Sequence, residues 1–304
     1  MISVVICTRN RSESLVRTLE SINQLFSPEG LKWELIVVDN NSTDSTREVV
    51  ERFKENSRLD VWYVFEPRRG ASRARNTGMQ KARGEIVALT DDDMIVDERW
   101  LAQIVKECSD YPSVPLHFGQ TRTVRPDQAK IAIKEGDSEE TYVFPCGPGD
   151  PGSSNNMILR KAILSSVGDF DTTLGAGGAL RAAEDIDLTY RVLRSGGTVR
   201  YCPSILAYHD HNRQNPAQIR SLLFDYGVGI GGFYCKHALK RDFWAIKLCY
   251  WEIKAFLRVL FKRGEVVPVS LHLAGMLTGF WWRLGIEAKT LLTGLSASEW
   301  SHTG

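Results

Sequence analysis

Net charge is almost absent from this chain: 38 Lys and Arg stand against 37 Asp and Glu, leaving +1. A uniform basic field of the kind that draws a protein onto nucleic acid is therefore excluded, and no nucleic-acid partner is expected. Paired cysteines are absent too. The 6 cysteines (Cys7, Cys108, Cys146, Cys202, Cys235 and Cys249) are scattered with no Cys-x-x-Cys spacing. Neither a zinc knuckle nor a dithiol redox centre is expected. Met1 runs straight into Ile2-Ser3-Val4-Val5-Ile6 without the basic and apolar regions of an export signal, so a reducing cytoplasmic location is expected. Repeats and low-complexity tracts are missing. Hydrophobic residues make up 43% and charged residues 25%, which excludes disordered and collagen-like classes. A chain of 304 residues suffices for one large core, or for a catalytic domain with a smaller appendage.

What is present begins with short β-branched runs. Ile2–Cys7 reads as a buried strand, followed by Thr8-Arg9-Asn10-Arg11 and a helix from Ser12 with Leu15, Leu19 and Ile22 on one face. Leu35–Val38 is a second buried strand. It is closed by Asp39-Asn40-Asn41-Ser42-Thr43-Asp44, which suits the cap of a helix carrying Val49, Val50 and Phe53. Val61–Phe65 and Glu85–Thr90 are a third and a fourth strand, the last followed at once by Asp91-Asp92-Asp93. Strands alternating with helices indicate βαβ units and a mostly parallel sheet. Ligands in such sheets sit beyond the carboxyl ends of the strands. Thr8, Asp39 and Asp91–Asp93 each follow a strand directly and are expected to line one crevice. Residues from about 115 to 180 are rich in Gly, Pro and Ser, predicting loops with short strands. A helix is expected over Ala182–Arg194, stopped by Ser195-Gly196-Gly197. Strands follow around Val199–Tyr201 and Ile205–Tyr208, leading to His209-Asp210-His211.

Three adjacent carboxylates repel one another unless a cation neutralises them. Asp91 and Asp93, as alternate residues, can point to one side and hold magnesium or manganese, which would grip a diphosphate. A solvated turn or a helix cap explains the same triplet. Glu184-Asp185-Ile186-Asp187 opens a helix, where acids are favoured by the helix dipole; one of them can equally serve as a general base. His209 or His211 can complete a metal site or simply pack. Asp39 suits a nucleobase imide or a helix cap, and Arg73 and Arg75 suit phosphates or a solvated helix face.

The order of these segments is more specific than any one of them. Ser3-Val4-Val5-Ile6-Cys7-Thr8-Arg9-Asn10, then Glu34-Leu35-Ile36-Val37-Val38-Asp39-Asn40-Asn41-Ser42-Thr43-Asp44, closely resembles the opening of family 2 glycosyltransferases. So does Ala74-Arg75-Asn76-Thr77-Gly78 before the acidic triplet. The resemblance continues through Gly152-Ser153-Ser154-Asn155-Asn156-Met157, Val167-Gly168-Asp169-Phe170-Asp171, Glu184–Leu188, Arg191, Gly196 and Tyr208-His209, covering roughly residues 1–215. It implies a GT-A fold, α/β with a Rossmann-like nucleotide half over 1–110 and an acceptor half over 111–215. It implies an inverting enzyme that moves a sugar from a nucleoside diphosphate donor to a hydroxyl of a glycan or lipid-linked acceptor, in cell-surface polysaccharide or glycolipid assembly. By the same resemblance Asp39 contacts the base and Thr8 and Arg9 help seat the nucleoside, with Arg75, Asp91 and Asp92 also on the nucleotide-sugar. Asp93 is the principal ligand of Mn2+ or Mg2+, with Asp91 and His209 as further ligands, and Asp185 is the catalytic base. The roles of Asp92 and Asp187 stay open beside their acidic neighbours.

Two other readings compete. A sugar-nucleotide nucleotidyltransferase usually carries a Gly-rich phosphate loop near its N-terminus, and Thr8-Arg9-Asn10-Arg11 contains no glycine. A silent glycan- or nucleotide-binding module would not need both Asp93 and Asp185. Beyond residue 216 a helical region to 295 and a tail over 296–304 are expected. Ile219, Leu222, Leu223, Tyr226, Ile230, Phe233 and Tyr234 form a helical stripe despite glycines at 227, 229, 231 and 232. Lys247, Lys254, Arg258 and Lys262 share a helix face flanked by Trp244, Trp251, Phe256 and Phe261, which suits an anionic headgroup layer. Val266–Trp282 lacks charge but is marginal for crossing a bilayer. Peripheral contact at the inner face of the cytoplasmic membrane is the expectation, against packing on the catalytic domain or in a dimer.

Overall fold

The computed structural model describes residues 1–126, 128–211, 215–263 and 266–293. The expected tail over 296–304 lies outside the described residues, as do the side chains of Phe261 and Lys262. The chain divides into two compact units. One comprises 1–69, 73–170 and 188–212, the other 70–72, 171–187 and 213–304.

In the first unit nine strands form one sheet. Four of them, β1 (Ile2–Thr8), β2 (Trp33–Asp39), β3 (Val61–Phe65) and β4 (Ile86–Asp91), run parallel in the order β3-β2-β1-β4. β1 and β2 are central and buried on both faces, which is why Val4–Cys7 and Leu35–Val38 read as continuous apolar runs rather than alternating ones. On one face α1 (Ser12–Asn23) and α2 (Thr46–Asn56) contribute Leu15, Leu19, Ile22 and Val50 to a core that includes Ile2, Val4, Ile6, Leu35 and Val37. On the other face α3 (Ala71–Lys81) lays Ala74 and Met79 over Val5, Val38 and Leu89. Gly78 lets α3 approach that closely, since a methyl there would fall 2.4 Å from Val5 Cγ1.

The remaining strands depart from the expected parallel order. β5 (Met94–Val96), β6 (Leu116–Thr123), β7 (Glu140–Tyr142), β8 (Asn156–Arg160) and β9 (Val199–His209) extend the sheet beyond β4 in the order β8-β6-β9-β5, with β7 on β9. Only β6 and β9 pair in parallel; β8, β5 and β7 run antiparallel to their neighbours. The two short strands expected at Val199–Tyr201 and Ile205–Tyr208 are one strand. Its register against β6 slips between Gly119 and Gln120, which accommodates Pro203, a residue with no ladder N–H to give. Asn156 fills the irregularity: its amide donates to the Gln120 and Ile205 carbonyls, and its oxygen accepts from Trp100 Nε1. Trp100 lies on α4 (Trp100–Asp110), on the same face as α1. After β8 come a 3-10 turn and α5 (Leu164–Val167), then α6 (Glu184–Arg194). α6 starts two residues later than expected because Ala183 is left-handed, φ 69°, and cannot belong to the helix.

The second unit contains α7 (Pro216–Leu239), α8 (Phe243–Arg263) and α9 (Val266–Thr293). Asn215 caps α7 by accepting from Ala217 N, with Pro216 in the first turn. The glycines of α7 are the reason it packs as it does. A methyl at Gly231 would lie 1.9 Å from the Met276 carbonyl oxygen of α9, and one at Gly279 1.9 Å from that of Val228. Gly227 and Gly275 meet at the same crossing. Each helix thus offers two glycines four residues apart, and the backbones touch directly. The apolar run Val266–Trp282 belongs to the longer α9, with Pro268 tolerated in its first turn. Among the described residues no helix is long and apolar enough to cross a membrane.

Gly231→Ala should lower the unfolding free energy by about 2 kcal/mol or more through overpacking. Gly285 lies on α9 in open space, so Gly285→Ala should raise it by up to about 1 kcal/mol through helix propensity. Urea denaturation checks the pair: the two midpoints should move in opposite directions.

Candidate active site

The parallel register decides which side chains meet. Thr8 lies opposite Asp39, and Cys7 opposite Asp91, at the carboxyl ends of β1, β2 and β4. The residues expected to line one crevice therefore lie on adjacent strands that end level with one another. Asp39 is buried; Tyr63 Oη donates to its Oδ2 at 2.7 Å and Ser42 N to its Oδ1 at 2.8 Å. Neighbouring strand ends are stitched by backbone bonds from Asn40 N to the Thr8 carbonyl and from Glu66 N to the Asp39 carbonyl. Glu66 then accepts from Arg68 and Thr77. Burial raises its pKa, but those hydrogen bonds prevail and hold it at about 2. The Thr8 hydroxyl has no hydrogen-bond partner of ordinary geometry among the described residues, although it lies close enough to Asp92 to lower that carboxyl's pKa. Arg9 is exposed beyond the strand.

Two arginines meet the three acids. Asp91 accepts from Arg75 Nη2 at 3.0 Å, and the buried Arg75 guanidinium lies over the Phe170 ring. The chain turns after Asp91, so Asp92 and Asp93 converge on Arg11 Nη1 at 3.0 and 2.6 Å. Asp93 Oδ1 also faces His209 Nε2 at 3.3 Å. Pairing of Met94 with His209 between β5 and β9, and a bond from Asp210 N to the Asp93 carbonyl, bring that about. His211 Nε2 is instead bonded to the Ala129 carbonyl, which makes His209 the imidazole at the triplet. Burial raises the Asp92 pKa to about 6 against the opposing pull of Arg11. Burial acts on Asp93 in the same sense, but His209 and Arg11 outweigh it and hold that carboxyl well below the usual range.

Asp93 and His209 offer two facing donor atoms to a divalent cation. His209 Nδ1 contacts the Ile131 carbonyl at 3.1 Å. A proton held on Nδ1 by that carbonyl leaves Nε2 as a lone pair aimed at a carboxylate oxygen. Two acceptors 3.3 Å apart require a proton or an ion between them, and the separation is close to the edge of about 3 Å in an octahedron with bonds of about 2.1 Å. Among the described residues, the three possible ligands that come within 4.8 Å of one another are Glu107, Glu139 and Cys202. There, however, Arg200 already supplies the cation, donating to Glu107 and Glu139 at 2.7 and 2.8 Å, and burial pushes the Cys202 thiol pKa up.

Arg11, Tyr63 and Glu66 carry much of this geometry without having stood out in the sequence. Arg11 and Glu66 lie just beyond strand ends, while Tyr63 lies in the middle of β3. Arg73 is buried and makes no ion pair among the described residues; burial, then the charge of Arg68, lower its pKa.

The second unit holds Asp185. It is partly exposed in the first turn of α6, with Oδ1 accepting from Ile186 N at 2.8 Å. Asp187, two residues on, is fully buried.

Comparison with known proteins gives this architecture its class. Residues 3–164 match the model of glycosyl transferase family 2, more than half of the chain, and the protein belongs to that family. It is similar to the succinoglycan biosynthesis protein ExoM of Rhizobium meliloti, 28% identical over 253 residues that cover 81% of this chain and 80% of the relative. It is also similar to a poly-beta-1,6-N-acetyl-D-glucosamine synthase of Staphylococcus epidermidis, 26% identical over 68% of this chain and 49% of the synthase. Among solved structures, the mannosyltransferase PcManGT of Pyrobaculum calidifontis, in complex with GDP-Man and Mn2+, superposes with TM-score 0.64 at 19% identity, over 93% of this chain and 87% of that one. TarS 1–349 of S. aureus, in complex with UDP-GlcNAc, superposes with TM-score 0.56 at 17% identity, over 93% and 92%. The fold is GT-A, and the chain is a glycosyltransferase.

Burial lowers the His209 pKa, but the hydrogen bond and charge of Asp93 outweigh it and leave the value raised. In metal-free protein its contribution to stability is therefore full below the unfolded value of about 6.5 and is lost as pH rises through the folded one. His209→Gln should cost more stability near pH 5.5 than near pH 9, measured by urea denaturation with chelator present. An equal cost at both pH values would contradict the pairing.

Proposed function

We propose that this enzyme is a metal-dependent, inverting glycosyltransferase acting in cell-surface polysaccharide or glycolipid assembly. The observation that carries the reading is the meeting of Asp93 with His209 at the strand ends, beside Thr8 and Asp39. The relatives that make succinoglycan and poly-beta-1,6-N-acetyl-D-glucosamine support the polysaccharide setting, and the Mn2+ in the mannosyltransferase supports manganese or magnesium.

Asp39, with Tyr63 fixing its carboxylate, receives the nucleobase, and Thr8 and Arg9 seat the nucleoside. Asp91, steadied by Arg75, and Asp92 contact the sugar nucleotide. Asp93, His209 and Asp91 would hold the ion, whose chemistry is to offset negative charge on the departing diphosphate. Asp185 takes the proton of the acceptor hydroxyl as that oxygen bonds to the anomeric carbon. The bond from that carbon to the diphosphate breaks on the opposite side, so configuration inverts and no covalent sugar–enzyme species forms.

Asp185→Asn should keep nucleotide binding and lose turnover by about a hundred- to ten-thousand-fold, read by release of nucleoside diphosphate from a panel of UDP-, GDP- and dTDP-sugars. Undiminished release would remove Asp185 from the role. Asp93→Ala should abolish the manganese-dependent part of nucleotide affinity in a thermal-shift assay; equal affinity with and without chelator in the wild type would end the metal assignment.

Helices α8 and α9 support peripheral membrane contact at the cytoplasmic face. Phe243, Ile246, Tyr250, Trp251, Leu277 and Trp281 are exposed. Lys247 lies between the Trp244 and Trp251 rings, and Lys254 over that of Tyr250, an alternation of cation and aromatic suited to anionic headgroups. The protein should sediment with vesicles containing phosphatidylglycerol. Lys247→Glu with Lys254→Glu should weaken binding by tenfold or more, given about 1 kcal/mol per cation. Wild-type protein left in the supernatant would refute the contact.

A further inference from the structure

In the second unit a chain of largely buried charges runs through Asp187, Lys236, Asp171 and Arg283. Asp187 has no solvent exposure, which is rare for a carboxylate unless it is fully paired. Its Oδ1 accepts from His237 Nε2 at 2.9 Å, and Lys236 Nζ lies 2.8 Å from its carboxylate. Lys236 reaches Asp171 Oδ2 at the same distance. Arg283 of α9 closes the chain by donating to Asp171 at 2.9 Å and to Thr173 Oγ1 at 2.8 Å. Lys236 and Arg283 together outweigh burial and hold Asp171 far below the usual carboxylate range.

Between Asp171 and α6 runs a loop whose backbone is held in an unfavourable shape. Arg181 and Ala183 are non-glycine residues at φ 64° and 69°, and such conformations persist only where the surroundings enforce them. Asp225 of α7 bonds the Arg181 guanidinium at 2.6 Å, and Trp282 of α9 stacks on it. Ala182 lies against Gly229, and Leu180 against Gly232. The strained loop therefore rests on α7 and α9, and it ends where Asp187 N bonds to the Ala183 carbonyl.

We propose that Asp187, clamped by Lys236 and His237, is a positioning residue that fixes the rotation of α6 and hence the direction of the Asp185 carboxylate. This rests on Asp185 being the base. Two residues along a helix lie about 200° apart around its axis, so locking Asp187 inward turns Asp185 outward. A rotation of about 20° would carry a carboxylate about 6 Å from the axis through roughly 2 Å. Misplacement of that order disables a general base while leaving donor binding intact. The C-terminal helices thereby contribute to turnover without touching substrate.

His237→Leu removes the bond to Asp187 while keeping an apolar filler, and His237→Gln keeps a donor near the position of Nε2. His237→Leu should lower kcat ten- to a hundredfold, with donor KM and UDP or GDP affinity within twofold of wild type. His237→Gln should recover most of kcat, and Lys236→Met should repeat the loss. A purely structural role would instead move stability, KM and nucleotide affinity together and show no rescue. Either that pattern or full kcat in a folded His237→Leu overturns the proposal. Asp185→Asn assayed alongside separates the two failures. If it is inactive while His237→Leu is not, positioning fails alone; if it is fully active, the base assignment falls and the proposal with it.

Discussion

Asp91, Asp92 and Asp93 leave β4 as three like charges, the last two almost sealed from water, and each meets a cation from elsewhere in the chain. Arg11 comes from the loop after β1, Arg75 from α3, and His209 from the end of β9. The repulsion among the acids thus becomes a set of long-range ties: β5 must pair with β9 to deliver His209, and α3 must close on β1 to deliver Arg75. Buried carboxylates tolerate no looser arrangement, because removing one partner leaves an uncompensated charge in low dielectric. The same poise, a strongly acidic Asp93 beside an imidazole, also makes the spot attractive to a divalent ion.

The helical unit solves a different problem with similar means. Four glycines let α7 and α9 touch backbone to backbone, and Lys236 and Arg283 carry charge into that dry setting, with His237 bonded beside them. Two carboxylates, Asp171 and Asp187, bracket the strained loop and answer those charges. Their neighbour Asp185 stays at the surface. Burial alone separates two acids that are interchangeable on paper.

Much of the first unit was legible from local pattern. β1, β2 and β3 are continuous β-branched or aromatic runs, and the polar residues that follow β1 and β2 do fall level because parallel neighbours share a register. What could not be read was whatever depends on distant pairing or on individual dihedrals. No local signal links Asp93 to a histidine more than a hundred positions away; only the family likeness suggested it. Arg11 sat in the text of a loop without distinction, though it holds two of the acids. α6 starts later than its sequence suggests because a left-handed alanine looks like an ordinary helix former. The glycines of α7, counted against a helix on propensity grounds, turn out to be the surface that α9 requires.

That last contact differs in kind from a packed side-chain core. Where side chains interdigitate, a core can give a little by changing rotamers. At Gly227, Gly231, Gly275 and Gly279 there are none to change, and carbonyl oxygens occupy the space where methyl groups would stand. No rotamer change can take up slack at the crossing, so a displacement of either rod is passed directly to the loop that rests on both.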